Sequence, residues 1–329
     1  MVQQFPHALR AKIEEAALEK SGVSSVVQSA GRVSERYRRL TEGEGNRYFQ
    51  LRNEEEALAY LVARLPATFT ANISVFGQIK TLMPCFFPAT VLDVGAGPGT
   101  ASYAASQIWD FSAATLLEPN SHLRSVGTEF IVPEMDADIS WIESGVEKKF
   151  ERKNYDLVLA SYVLNELESH QWADVLRSLW DLCSGVLVIV ETGTPFGFSV
   201  IERVRKLASG FSDCYLVGPC PQMQDCPLSK IDGRWCHFSV RVERSKLHKM
   251  MKSGAILGYE DEKFSWIAFS RNEVKRCDFR LLGRSSGSKV RQLQVCDKNG
   301  EARTLEVAKS SDLFKVTKKL DWGDGFEGS

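Results

Sequence analysis

The sequence predicts an α/β protein whose central part is a doubly wound, mainly parallel sheet, with helices before it and further strands after it. Two observations predict this fold. Short apolar runs alternate with helical stretches from residue 89 onwards, and near-continuous apolar runs suit strands that are buried on both faces. A glycine-rich turn follows the first run and precedes a helical stretch. The predicted strands cover residues 89–95, 114–119, 138–143, 155–161 and 185–192.

The region before the sheet has the periodicity of helices. Apolar side chains recur at helical spacing over residues 7–40 and 53–65, and "TEGEGN" (41–46) separates the two stretches. Pro66 is expected to end the second helix, because proline lacks the N–H group that a helix interior needs.

The region after the sheet has the pattern of strands from about residue 253. Asn299-Gly300 lies between two of them and is a typical hairpin turn. The sequence therefore predicts a helical region, an α/β domain and a strand-rich C-terminal region, with residue ranges 1–84, 85–210 and 211–329.

Composition limits the class of protein. Apolar residues make up 43% and charged residues 25%, as in ordinary globular chains, and no run of about 18 apolar residues predicts a membrane span. The first twenty residues lack a signal-peptide pattern and contain three glutamates, whereas transit peptides are poor in acids. We therefore expect a bacterial cytoplasmic protein without a membrane partner, with the mitochondrial matrix as the alternative location.

Charge is distributed unevenly along the chain. Residues 91–200 hold 6 Lys and Arg against 16 Asp and Glu, whereas residues 201–329 hold 24 against 17. A basic C-terminal third is a candidate surface for a polyanion, although scattered solvated lysines would give the same balance.

One segment of that basic third predicts a nucleic-acid-binding stripe. On a helix over 241–254, four side chains would fall within about 80° of one another: Arg241, Arg244, His248 and Lys252. The alternation in "HFSVRV" favours a strand up to Arg241 instead, with the helix beginning near Ser245. The alternative is that these residues form a solvated helix face and bind no partner.

The first chemical motif is "VLDVGAGPGTAS" (91–102). Asp93 ends a predicted strand, and Gly95, Gly97 and Gly99 let the backbone turn tightly towards a ligand before a helix begins. The pattern is D-x-G-x-G-x-G, not the G-x-G-x-x-G of dinucleotide sites. An anionic Asp93 suits the cationic amino end of S-adenosylmethionine and would repel a pyrophosphate.

Two further residues are predicted to contact the same cofactor. Glu118 ends the second strand in "LLEPN", where an acid can accept hydrogen bonds from both ribose hydroxyls. Ser161 ends the fourth strand and begins "SYVLNEL", where the methionine end and the methyl acceptor would lie. Asn165 and Glu166 in that stretch serve equally well as helix-cap residues.

The second chemical motif is the loop "GPCPQMQDCPLSKIDGRWCHF" (218–238). Cys220, Cys226 and Cys236 need a fourth ligand to complete a metal site, and the candidates are His237, Cys277 and Cys296. Zinc sites usually have close C-x(2–4)-C pairs, which are absent here. Wide spacing of sulfur ligands is more compatible with an iron–sulfur cluster, with zinc as the alternative.

These segments together resemble a known family. The matching stretches run in order along most of the chain: "VLDVGAGPGTAS", "LEPN", "YDLVLASYVLNEL", "LVIVETGTPFGFSVIERVR", "CPLSKIDGRWCHFSVRVERS" and "KKLDWGDGF". They resemble the ribosomal small-subunit-associated methyltransferase-like family, whose mitochondrial members are assembly factors of the small ribosomal subunit. The resemblance implies a Rossmann-like S-adenosylmethionine-dependent methyltransferase core, here 85–210, with a cysteine-bound iron–sulfur cluster, expected to be 4Fe-4S. It also implies association with small-subunit rRNA.

The resemblance also selects among the open alternatives. It implies Cys296 as the fourth ligand, just before the hairpin turn, with Cys277 as the second choice. The predicted function is an S-adenosylmethionine-dependent methyltransferase acting on, or in, the small ribosomal subunit. The alternative is a non-catalytic rRNA-binding assembly factor that keeps the methyltransferase fold as a scaffold, because fold does not imply function.

Overall fold

A computed structural model describes residues 3–41, 51–146, 154–251 and 257–328 of the 329-residue chain. Its helices are α1 (His7–Thr41), α2 (Glu54–Leu82), α3 (Thr100–Ser106), α4 (Ser121–Val126), α5 (Trp172–Leu182), α6 (Pro195–Ala208), α7 (Lys246–Met251) and α8 (Leu313–Thr317). Its first strands are β1 (Thr90–Val94), β2 (Ala113–Leu117), β3 (Asp138–Ile142), β4 (Tyr155–Ser161), β5 (Cys183–Thr192) and β6 (Tyr215–Gly218). The others are β7 (Phe238–Glu243), β8 (Tyr259–Ser270), β9 (Phe279–Leu281), β10 (Val290–Asp297), β11 (Ala302–Ala308) and β12 (Gly325–Phe326).

The main sheet has the order β3-β2-β1-β4-β5-β8-β6, and β7 pairs with β8 outside this path. Strands β1 to β5 are parallel, and the antiparallel β8 lies between β5 and β6. The order reverses at β1, so the ends of β2, β1 and β4 border a crevice of the kind in which doubly wound sheets bind ligands. The five predicted strands and the α/β fold class are confirmed.

The two faces of the sheet are covered by different helices because side chains alternate along each strand. Val91 packs in the core cluster that includes α1, α2 and α3, whereas Leu92 packs in the cluster that includes α5 and α6. The N-terminal helices therefore cover one face of the sheet.

The prediction that Pro66 ends the second helix is wrong. Helix α2 continues through Pro66 to Leu82. An interior proline costs about 3 kcal/mol or more, whereas each fully buried phenylalanine contributes about 1.5–3 kcal/mol. Phe69 and Phe76 lie beyond the proline and are fully buried, so packing of the second half of the helix offsets the lost hydrogen bond.

The C-terminal strands form a separate small sheet in the order β11-β10-β9-β12. The predicted hairpin is confirmed: β10 pairs antiparallel with β11, and Gly300 in the turn has φ +85°. The predicted boundary at residue 210 is crossed by the main sheet, because β6, β7 and β8 belong to it. The main sheet thus extends beyond the predicted α/β domain, and the division into three regions stays a prediction. In the described ranges, none of the helices is both long and apolar enough to span a bilayer.

Candidate cofactor cavity and cysteine pocket

A cavity of about 350 Å³ lies at the carboxyl ends of β1, β2 and β4. That volume is within the range of small-molecule sites. The predicted cofactor residues that line it are Asp93, Gly95, Gly97, Glu118 and Ser161. Gly99 does not line it but precedes α3 with φ +89°, where glycine adopts the left-handed conformation without strain. The binding roles of all six stay predictions.

Asp93 is held at the end of β1 by one of its two carboxylate oxygens. Its Oδ2 accepts hydrogen bonds from the backbone N–H and the hydroxyl of Ser102, at 3.0 and 2.8 Å. Its Oδ1 is buried and has no hydrogen-bond partner in the described structure. Burial raises the pKa of this carboxyl to about 7, although the bonds from Ser102 oppose the rise. Because Asp93 lines the cavity, this orphaned oxygen is a candidate acceptor for a ligand that donates hydrogen bonds.

Glu118 is also fixed by the glycine turn. Its Oε2 accepts from the backbone N–H of Gly97 at 2.9 Å, and its Oε1 accepts from that of Asn120 at 2.8 Å. Burial raises its pKa, and these backbone hydrogen bonds oppose the rise. Because each carboxylate oxygen can accept more than one hydrogen bond, Glu118 retains capacity for ligand hydroxyls.

Gly95 is required by packing as well as by backbone conformation. It has φ +63°, and a Cβ added to it would lie 2.4 Å from Cγ2 of Val163. Gly97 has φ +57° but would meet no atom within 4 Å. A side chain at Gly95 would therefore clash with Val163, whereas a side chain at Gly97 would extend into open space.

Helix α2 contributes a wall of the cavity that sequence reasoning missed. Tyr60, Thr68 and Asn72 on this helix line the cavity. Asn72 donates to the hydroxyl of Ser161 at 3.0 Å and to the carbonyl of Thr68 at 2.9 Å. The available signal was the asparagine in "ATFTANISVF", where the other polar residues are the smaller threonines and serine, but the sequence does not indicate which strand it faces.

The charge of the cavity selects its ligands. Asp93, Glu118 and Glu166 line it, and none of its described lining residues is Lys or Arg. Negative charge near a ligand favours cations and repels phosphates. The cavity therefore suits a cationic ligand with hydroxyl groups.

The turn after β4 is held by a buried glutamate on β5. Oε1 of Glu191 accepts hydrogen bonds from the backbone N–H groups of Leu164 and Asn165, at 3.0 and 3.2 Å. Burial raises the pKa of Glu191 to about 8. Asn165 is itself buried and does not line the cavity, whereas Glu166 does.

The cysteine loop forms a second, small pocket. The four cysteines that the resemblance selected all line it: Cys220, Cys226, Cys236 and Cys296. Cys277 is buried but is not among the lining residues, and Gly325 packs against its sulfur. His237 lies between two indole rings, with ring centroids 5.3 Å from Trp235 and 5.0 Å from Trp322.

Burial raises the pKa values of three of these thiols, that of Cys296 to about 12. The guanidinium of Arg205 contacts Sγ of Cys220. Over the four described ranges, no three His, Cys, Asp or Glu side chains are arranged so that they could hold a metal ion as they stand. Metal binding by these cysteines therefore stays a prediction.

The predicted basic stripe is not formed. Arg241 lies on β7, not on a helix, and pairs with Asp261 at 3.2 Å. Arg244 pairs with Glu260 at 2.9 Å, and His248 is 2% exposed. Helix α7 begins only at Lys246, and Lys252 lies outside the described residues. The strand alternation of "HFSVRV" prevailed over helical spacing because Val240 and Val242 bury against the core.

Comparison with known proteins assigns the family. A family model described as "Mitochondrial small ribosomal subunit Rsm22" matches residues 54–327, which is most of the chain. The chain belongs to this family. The resemblance inferred from the sequence motifs is thereby confirmed.

Curated relatives are mitochondrial proteins. The chain is 28% identical over 293 residues to the human "Ribosome assembly protein METTL17, mitochondrial", covering 82% of this chain and 62% of the relative. It is 29% identical over 203 residues to the Schizosaccharomyces pombe "Rsm22-cox11 tandem protein 2, mitochondrial", covering 55% of this chain and 26% of the relative. The chain thus spans less than two thirds of either relative. Their location agrees with the alternative given above, and the bacterial cytoplasm has no counterpart among these relatives.

Solved methyltransferase structures are distant. N-methyltransferase NodS from Bradyrhizobium japonicum, solved with S-adenosyl-L-homocysteine, has 12% identity and a TM-score of 0.43, covering 69% of this chain and 98% of that one. Magnesium protoporphyrin IX methyltransferase from Synechocystis has 11% identity and a TM-score of 0.39, covering 73% and 91%. At these values the site assignment depends on the chain's own residues.

Proposed function

We propose that this chain binds S-adenosylmethionine in the cavity at the ends of β1, β2 and β4 and acts as a methyltransferase of the small ribosomal subunit. The observation that supports this best is that Asp93 lines the cavity and that its Oδ1 is buried without a hydrogen-bond partner in the described structure. A cationic amino group is the ligand group that would satisfy it most strongly.

The remaining residues fit the same cofactor. Glu118 would accept hydrogen bonds from the ribose hydroxyls, and the glycine turn would let the backbone approach the ligand beside α3. Ser161 and Asn72 form a paired hydroxyl and amide at the end of β4, where they would orient the methionine end. When bound, S-adenosylmethionine supplies a methyl group on a positively charged sulfur, which the acidic lining favours.

The ribosomal partner is inferred from the family. The matching model is described as a small ribosomal subunit protein, and the human relative is named a ribosome assembly protein. We propose that small-subunit rRNA is the partner, and that the methyl acceptor lies in or beside this RNA. By the same inference, the mitochondrial matrix is the proposed location.

We further propose that Cys220, Cys226, Cys236 and Cys296 hold a 4Fe-4S cluster. Four soft sulfur donors line one buried pocket, and that donor set suits an iron–sulfur cluster or zinc. The two other candidate ligands fit less well: His237 packs against two indole rings, and Cys277 does not line the pocket. These residues would hold the cluster, which would join the loop after β6 to β10.

A non-catalytic assembly factor is the second candidate function. The turn after β4 is the expected acceptor side, and there Asn165 is buried away from the cavity. The Ser161 hydroxyl is already bonded to Asn72. Asn165 is therefore not presented to an acceptor and Ser161 is engaged by Asn72, which favours a scaffold that keeps the methyltransferase fold. Glu166 is the acid of this turn that lines the cavity.

One experiment separates the two functions. Small subunits from cells that lack the protein would be incubated with radiolabelled S-adenosylmethionine and either the wild-type chain or Asp93→Ala. Methyl transfer is expected with the wild-type chain only. Subunit binding without any transfer would support the scaffold, and failure to bind the cofactor would contradict the methyltransferase.

A further inference from the structure

Arg205 is a buried cation in the cysteine pocket. It lies on α6, is 5% exposed, and lines the pocket together with the four cysteines. One guanidinium nitrogen, Nη1, donates to the carbonyl of Gln224 at 2.9 Å, and Nη2 contacts Sγ of Cys220. The side chain therefore connects the helix to two points of the cysteine loop.

Burying this charge requires compensation. A buried cation without a counter-charge is strongly destabilising. In the described structure the hydrogen-bond partners of the Arg205 side chain are the carbonyl of Gln224 and Sγ of Cys220, and neither is a carboxylate. The fold thus places the charge of Arg205 beside the sulfur atoms of the pocket.

The four sulfurs, in turn, need positive charge nearby when they bind a metal. Cysteines bind metals as thiolates, and the negative charges of several thiolates in one pocket repel one another. A guanidinium both offsets that charge and donates hydrogen bonds to sulfur. Net charge and hydrogen bonds to the sulfurs are two of the factors that set the reduction potential of an iron–sulfur cluster.

We propose that Arg205 is a positioning residue of the sulfur centre, which holds Cys220 in the pocket and makes one-electron reduction of the cluster more favourable. This inference rests on the proposed cluster. It predicts that removing the charge of Arg205 lowers the reduction potential of the cluster and weakens the binding of iron by Cys220.

Arg271 offers a matched control. It also donates to backbone carbonyls, to Cys183 at 2.9 Å and Trp180 at 2.6 Å, and its guanidinium lies over the ring of Trp180 at 4.0 Å. It does not line the cysteine pocket. Arg271→Gln therefore removes an arginine with comparable structural contacts and leaves the charge near the sulfurs unchanged.

The test uses the full chain purified without oxygen and reconstituted with ferrous iron and sulfide. Iron and sulfide content and the midpoint potential of the dithionite-reducible cluster are measured for the wild-type chain, Arg205→Gln, Arg205→Lys and Arg271→Gln. Arg205→Gln should lower the equilibrium constant for one-electron reduction at least tenfold, which corresponds to ~59 mV. Arg271→Gln should have the wild-type potential, and Arg205→Lys, which keeps the charge without the second donor, should fall between them.

The outcomes separate the two proposals. A wild-type chain that holds no iron and sulfide contradicts the cluster itself and, with it, the role of Arg205. A wild-type cluster whose potential and iron content are the same in Arg205→Gln overturns the role of Arg205 alone. Should Arg205→Gln fail to fold, Arg205→Lys tests the guanidinium itself: a wild-type potential together with a wild-type iron content in this variant would overturn its positioning role.

Discussion

The cofactor cavity and the cysteine pocket are assembled in different ways. The cavity takes Asp93 and Glu118 from the ends of adjacent parallel strands, and the glycine turn between them donates a hydrogen bond to Glu118. The cysteine pocket takes its sulfurs from the loop after β6 and from β10 in the separate small sheet. One site depends on a single sheet edge, whereas the other depends on two sheets meeting.

The cavity and the cysteine pocket also differ in the charges that line them. The described lining of the cavity contains acids and no Lys or Arg, so the ligand itself must supply the positive charge. The cysteine pocket is lined by Arg205, so the protein supplies positive charge beside the proposed cluster. We infer that the cavity suits a cationic ligand, whereas the pocket suits the proposed anionic cluster. Four predictions test this contrast, beginning with the largest effect.

Removing a sulfur from the pocket should abolish the cluster. Cys296→Ser is expected to lose the iron and acid-labile sulfide of the anaerobically purified chain, because a missing ligand opens the site. Cys277→Ser is the matched control, since Cys277 is buried nearby but does not line the pocket. Metal and sulfide analysis checks this. Equal loss in both variants would contradict the choice of Cys296 over Cys277 as the ligand. Stoichiometric zinc without iron would show that the cysteines form a zinc site.

Filling the glycine turn should destabilise the cavity edge. Gly95→Ala combines a positive φ with a Cβ 2.4 Å from Val163, so it should reduce the free energy of unfolding by about 2–5 kcal/mol. Gly97→Ala has a similar φ but open space, so it should cost only about 1 kcal/mol. Denaturant unfolding of both variants measures the difference. Equal costs would show that the contact with Val163 relaxes freely.

Removing either cavity acid should weaken cofactor binding. Asp93→Ala and Glu118→Ala should each reduce the affinity for S-adenosylmethionine by about 1.5–3 kcal/mol, the contribution of a hydrogen bond to a charged group. Calorimetry with S-adenosylhomocysteine checks both variants. Glu129→Ala, an exposed acid that does not line the cavity, is the control. Wild-type affinity in both cavity variants would contradict the cofactor assignment.

Acid should weaken binding in the cavity. Burial raises the pKa of Asp93 to about 7, so the carboxyl is mainly protonated below that pH and cannot attract an ammonium group. Affinity should therefore fall up to about tenfold for each unit of pH below 7 and level off above it. Glu118 also faces this carboxyl and has a raised pKa, so Asp93→Asn should reduce the pH dependence without removing it completely. An affinity that is independent of pH from 6 to 8 would mean that Asp93 does not bind the ligand as an anion.

The sequence by itself determined the five parallel strands, the glycine turn and the acids at the strand ends. These features are local: apolar runs of strand length bury on both faces, and an acid that ends a strand lies at the sheet edge wherever the strand pairs. The hairpin at Asn299-Gly300 was predictable for the same reason, since its turn type depends on two adjacent residues.

Tertiary structure alone decided the rest. Helix α2 continues through Pro66 because distant packing partners stabilise its second half, and Asn72 reaches Ser161 only because that helix lies against the sheet. The alternation in "HFSVRV" already favoured a strand at Arg241, but its partner strand β8 and its ion pair with Asp261 are set by tertiary pairing. Arg205 shares a pocket with Cys296 because α6 and β10 converge in space. Such contacts join residues far apart in the chain, and their energies depend on burial and neighbouring charge, which exist only in the folded protein.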